Sequence, residues 1–153
     1  MSNHPNFTSG DFAHVPRALS AGAADNLVHA NVLDTHEAAD LEFSQKRHHL
    51  VRAARLPSQV VSVTIGGLEP GESTRKHRHN YETIIYFLSG TGLSSVEGRE
   101  IQWAAGDAIY IPVWAWHQHL NSGNDPVRYV ACENAPMLQN LGIALREEEG
   151  DVV

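Results

Sequence analysis

From residue 48 onward the chain alternates short apolar stretches with turn signals. The stretches are HLVRAARL (49–56), QVVSVTI (59–65), TIIYFL (83–88), LSSVE (93–97), IQW (101–103), AIYIPV (108–113) and VRYVACE (127–133). Between them stand Gly66-Gly67, Pro70-Gly71, Gly90, Gly98, Gly106 and Ser122-Gly123-Asn124-Asp125-Pro126. Runs of four to eight residues with partial period-two alternation, separated by Gly/Pro turns, predict an all-β domain, a sandwich or a small barrel. Upstream the pattern is weaker. Residues 1–24 are polar and irregular and read as an arm, and DTHEAADLEF (34–43) reads as a short helix capped by Asp34 or Thr35 with Glu37 in its first turn. The end, REEEGDVV (146–153), reads as an acidic, solvated tail.

Composition narrows the function. Eighteen acidic residues stand against 11 basic ones, a formal charge of −7. Phosphate backbones select a surplus of Lys and Arg, so nucleic acid is not an expected partner. No apolar run approaches the roughly 20 residues of a membrane helix. The N-terminus has neither the basic nor the apolar region of a secretory signal, so a cytoplasmic location is expected. The lone Cys132 excludes an internal disulfide framework and is expected to be a small core residue.

Ten histidines among 153 residues is the departure from ordinary composition. Four of them form two His-x-His pairs, His77/His79 and His117/His119. Residues two apart on a strand share a face, so each pair presents two imidazoles side by side, and neighbouring strands can bring the pairs together around one metal ion. His4, His14, His29, His36, His48 and His49 show no partner spacing and read as structural or solvated.

The offsets around these pairs resemble the cupin superfamily. Gly71, five residues, His77-Arg78-His79 and then Gly90 is similar to the first cupin motif; Gly106, five residues, Pro112, His117 and Asn121 is similar to the second. Fifteen residues separate the motif glycines, as in compact cupins. The run Pro112-Val113-Trp114-Ala115-Trp116-His117-Gln118-His119-Leu120-Asn121 resembles in particular the three-histidine, gentisate-type ring-cleaving dioxygenases. The resemblance implies a double-stranded β-helix, the jelly-roll cupin barrel. It would occupy 46–135, with 1–45 as N-terminal arm and short helix and 136–153 as C-terminal tail.

It also implies metal ligands at His77, His79 and His117. The glutamate common in the first motif is replaced by Thr83, with Glu82 facing the other way in a regular strand; the glycine usual in the second motif is Trp114; and an arginine frequent in the gentisate branch is Ile85. The implied cofactor is a divalent metal, Fe(II) first, with Zn, Ni, Mn or Cu accepted by the same ligands. The implied partners are a small aromatic or enolisable anion and O2. Three neutral imidazoles leave the full +2 charge on the metal, which favours an anionic chelating substrate.

Arg75 shares parity with the two histidines and is expected at the barrel mouth, as a catalytic and substrate-binding guanidinium. Tyr81, Thr83, Ile85 and Phe87 continue that parity and are expected to line the substrate cavity. His119 is expected to act at the site as a base beside the metal, a substrate contact or a fourth ligand, and Asn121 to fix a turn or an imidazole N–H. Lys76 and Arg78 are expected to be solvated and, with Arg75, to steer an anion inward. Trp114 and Trp116, of opposite parity to His117, are expected to pack between sheets. Two further readings share these residues: a redox-neutral isomerase, lyase or decarboxylase with the metal as Lewis acid, and a non-catalytic small-molecule-binding cupin. Sheet edges left open by a jelly roll predict a homodimer.

Overall fold

The computed structural model describes residues 24–34 and 38–150. Ten strands form two five-stranded antiparallel sheets. One has the order β1 (Leu50–Ala53), β2 (Ser62–Leu68), β9 (Val127–Glu133), β4 (Thr83–Ser89), β7 (Ala108–Ile111). The other runs β10 (Arg146–Glu148), β3 (His77–His79), β8 (His117–Leu120), β5 (Thr91–Val96), β6 (Arg99–Ala104). The two sheets face each other as a jelly-roll barrel.

Strand alternation sorts residues as the sequence pattern requires. In β4, Thr83, Ile85 and Phe87 are buried while Ile84, Tyr86 and Leu88 are exposed. Phe87 stacks on Trp103 with ring centroids 3.6 Å apart and planes 6° from parallel. Leu68, Ile109, Ile111 and Val127 close around this pair and plug one end of the barrel with apolar side chains. Turns at the motif glycines need left-handed backbone, φ 81° at Gly90 and 97° at Gly106, which costs glycine little. Trp114 adopts φ 64° at the place where the cupin pattern usually has glycine, so the backbone shape persists although the side chain has changed.

Three expectations shift. The short helix is α1 (Ala38–Arg47), preceded by a 3-10 turn at Val32–Asp34; it begins later than 34, and Thr35 and Glu37 lie outside the described residues, as does the arm apart from Ala24. The acidic tail is not merely solvated: a second helix, α2 (Ala135–Asn140), leads to β10, which pairs with β3 and places Arg146 opposite His79 and Glu148 opposite His77. Charge complementarity drives that pairing, because Arg75 meets Glu148, Lys76 meets Glu149 and Arg78 meets Glu147. Cys132 faces outward from β9 and is exposed rather than in the core.

Candidate metal centre

His77 and His117 are register partners on β3 and β8, and their rings lie 4.1 Å apart between centroids. His79, two residues along β3, brings its ring 4.8 Å from His117. One ligand atom from each of His77, His79 and His117 lies within 4.8 Å of the other two. His79 and His117 are buried and His77 nearly so.

Each ring is held the same way. The Nδ1 atoms of His77, His79 and His117 lie 2.8, 2.7 and 2.8 Å from the carbonyl oxygens of Arg75, Tyr81 and Ala115. A carbonyl only accepts, so each Nδ1 carries the proton and donates it, leaving the Nε2 lone pair free. Tyr81 adds a parallel stack on His79, centroids 3.9 Å apart. Burial, then neighbouring positive charge, disfavours protonation: His79 is pushed down to about 3 and His117 to about 4, and His77 is lowered further. Three neutral nitrogens with fixed tautomers fit a divalent first-row metal without rearrangement.

Beside the three histidines lies a cavity of about 100 Å³, walled by Tyr81, Thr83, Ile85 and His119 from the barrel and by Arg47 and Arg146 from α1 and β10. Tyr81, Thr83 and Ile85 therefore stand where their parity places them. His119 lines the cavity outside the three-ligand group, with Nδ1 bound to Ser94 Oγ at 2.7 Å. Ser94 in turn accepts the Trp103 indole N–H at 2.8 Å. Burial keeps His119 neutral, pushed down to about 3. Asn121 fixes a turn, donating to Leu68 O and Asp125 O and accepting from Gly123 N–H.

Two expected cavity residues are elsewhere. Arg75 turns to Glu148, at 2.5 Å, and is absent from the cavity wall, because the acidic strand β10 captures it. Phe87, two residues beyond Ile85 on β4, lies in the apolar plug against Trp103 and is absent from the cavity wall. The supposed steering residues Lys76 and Arg78 are likewise paired with Glu149 and Glu147. Trp114 and Trp116 do not pack between sheets; they hold the Arg78 guanidinium 4.5 and 4.6 Å from their ring centroids. Glu82 is exposed and accepts the Tyr110 hydroxyl at 2.7 Å, far from any role as a ligand.

The sequence reading missed Arg47, His49, Glu133 and Arg146. Glu133 continues the inward alternation of Tyr129 and Ala131 on β9, a signal that was available. Burial raises its carboxyl above the usual range, opposed by the Thr83 hydrogen bond and by the charges of Arg146 and Arg47. His49 bridges Arg47 O and the Tyr129 hydroxyl; His48 beside it obscured the parity. Arg146 was legible only as part of an REEE run complementary to Arg75-Lys76-His77-Arg78.

A two-sheet jelly roll with three histidines converging inside defines a cupin-type barrel with a candidate three-nitrogen metal centre. Residues 65–132 match the family model of the cupin domain, and the chain carries a cupin barrel resembling those of the gentisate-type ring-cleaving dioxygenases. It is similar to 5-aminosalicylate 1,2-dioxygenase of a Comamonas species, 40% identical over 76 residues, half of this chain and 20% of that protein. It is similar to gentisate 1,2-dioxygenase 1 of Aquipseudomonas alcaligenes, 29% identical over 61% of this chain and 28% of that one. The crystal structure of salicylate 1,2-dioxygenase from Pseudaminobacter salicylatoxidans shares the fold, with TM-score 0.64 and 20% identity over 75% of this chain and 38% of that chain. The matches thus span well under half the length of these relatives.

Proposed function

We propose that this chain is a non-haem Fe(II) dioxygenase acting on a small aromatic anion, with His77, His79 and His117 as the metal ligands. The observation that carries the reading is the donor set: three carbonyl-anchored imidazoles with no carboxylate in the converging group. The relatives named for ring cleavage of salicylate-type acids support the same chemistry. A ferrous ion supplies the one-electron chemistry that lets O2 react with an aromatic ring. Overall, ring cleavage breaks one ring carbon–carbon bond and places both oxygen atoms in the product, so no external reductant is needed.

The protein's own residues bind and orient. Neutral ligands preserve the metal's full +2 charge for a phenolate or carboxylate. Tyr81, Thr83 and Ile85 shape the wall against a flat ring. His119 is placed to take the proton of a substrate hydroxyl: it lines the cavity and is oriented by Ser94.

The test is anaerobic reconstitution with Fe(II), followed by oxygen uptake with salicylate, gentisate, 5-aminosalicylate and 1-hydroxy-2-naphthoate. At least one should drive uptake with a ring-opened product. A protein that binds these acids but consumes no oxygen with any of them is not a dioxygenase of this class.

A further inference from the structure

Arg47 on α1, Arg75 before β3 and Arg146 on β10 all reach the carboxylate of Glu148. Arg75 does so at 2.5 Å, Arg146 at 3.1 Å, and Arg47 by a direct ion pair. One carboxylate therefore faces three guanidiniums. Arg47 and Arg146 keep little exposure, with 18% and 21% of their side chains accessible, and both also form part of the cavity wall. The charges around them do not restore balance. Glu133 is the other carboxylate in the cavity wall, and it is engaged by the Thr83 hydroxyl. A chain of formal charge −7 thus places clustered cations in the wall of this cavity. The Nε–H of Arg146 is buried without a hydrogen-bond acceptor among the described residues, although a buried donor left unpaired is costly.

We infer that Arg146, presented by the C-terminal strand and backed by Arg47, is the residue that binds the carboxylate of an aromatic acid in this cavity. An acceptor oxygen at Nε satisfies the orphaned donor, and the carboxylate supplies negative charge that Glu148 alone does not. Glu147, and Glu149 just beyond the strand, pair with Arg78 and Lys76, so the chain that follows Arg146 is fixed against β3 and the residue before it. Both Arg47 and Arg146 lie outside the 65–132 cupin match, so anion recognition is added to the barrel from either flank of that segment. The inference deepens the reading of an aromatic-acid oxygenase and rests on it for the ligand class, but its test requires no turnover.

The experiment compares benzoate with benzyl alcohol, which shares the ring but lacks the charge, by calorimetry on zinc-loaded protein. Wild type should prefer benzoate by at least tenfold. Arg146→Gln should bring the ratio close to one while zinc content and Tm are kept. Arg146→Lys, which keeps the charge beside Glu148 but lacks the Nε donor, should lose the preference several-fold and serves where the glutamine variant does not fold. A wild-type ratio near one, or an undiminished ratio in either folded variant, overturns the assignment. Loss of oxygen uptake by iron-loaded protein with the benzoate preference intact counts against the oxygenase reading alone.

Discussion

Thr83 Oγ1 donates a hydrogen bond to Glu133 Oε1 at 3.3 Å across the β4–β9 register pair. The position where many cupins carry a ligating glutamate thus holds a hydroxyl, and Glu133, a carboxyl in the same cavity wall, is tied to that hydroxyl instead of joining the three histidines. Burial is the leading cause that raises Glu133, so its protonated form is favoured in the folded state. A carboxyl raised in this way destabilises the fold once pH exceeds the ordinary value near 4.3, and the penalty is complete above the folded value. Glu133→Gln should therefore be more stable than wild type at pH 8, with the difference vanishing toward pH 4. Urea denaturation at the two pH values measures this.

Replacing Thr83 by glutamate should place a carboxylate beside the three imidazoles. The variant is expected to keep or tighten its metal while losing oxygen uptake at least tenfold, because the added negative charge competes with the anionic substrate. Metal content and initial rates on the same preparation check both halves.

The histidines make the metal-free protein acid-sensitive. His79, His117 and His119 are pushed to about 3, 4 and 3 in the folded chain, against about 6.5 when unfolded. The unfolded state binds protons first, so stability is full above pH 6.5 and falls as pH drops toward 4, by up to about 1.4 kcal/mol per pH unit for each histidine. Thermal unfolding of chelator-treated protein between pH 7.5 and 4.5 should show this slope, steeper than the slope of a variant with His119→Gln.

Removing the shared counter-ion should be costly. Glu148 is 11% accessible in its side chain and faces Arg47, Arg75 and Arg146. Burial works against its charge, yet the Arg146 hydrogen bond and the three guanidiniums hold its carboxyl below the usual range. Glu148→Gln leaves clustered cations uncompensated and should destabilise by roughly 3 kcal/mol. The loss should shrink as pH falls below the ordinary carboxylate range, because the unfolded chain's glutamate then takes up its proton before the folded one does.

His119→Gln should separate proton handling from metal holding. The residue lies outside the ligand group, so metal content should be unchanged, while kcat falls on the order of 10²-fold or more if His119 is the base. A variant with full activity would reduce His119 to a packing residue of the Ser94–Trp103 chain.

Much of the barrel was legible because strand parity is local. Period two places His77 and His79 on one face of β3 and Thr83 and Ile85 on one face of β4; the bend at 80–81 carries the chain to the other sheet, and both faces line the same cavity. The convergence of His77, His79 and His117 was legible for the same reason, aided by the fixed offsets from Gly71 and Gly106. Arg75 shows the limit. Its parity is that of the histidines, but parity does not reveal that an acidic strand about seventy residues later offers Glu148. Phe87 shows another: parity distinguishes inside from outside, not the cavity end of a barrel from its plugged end. Arg47 and Arg146 come from elements flanking the recognisable motif, and only three-dimensional closure brings them to the site.

The central claim is that His77, His79 and His117 hold a ferrous ion that reacts with O2 in the presence of an aromatic acid. Substrate-dependent oxygen uptake by Fe(II)-reconstituted protein, with wild type and His79→Ala measured side by side, tests it most directly. Wild type should carry about one iron per chain and take up oxygen with at least one salicylate-type acid, and both should be lost in His79→Ala. Full metal content in His79→Ala, or no uptake by iron-loaded wild type with any such acid, would contradict it.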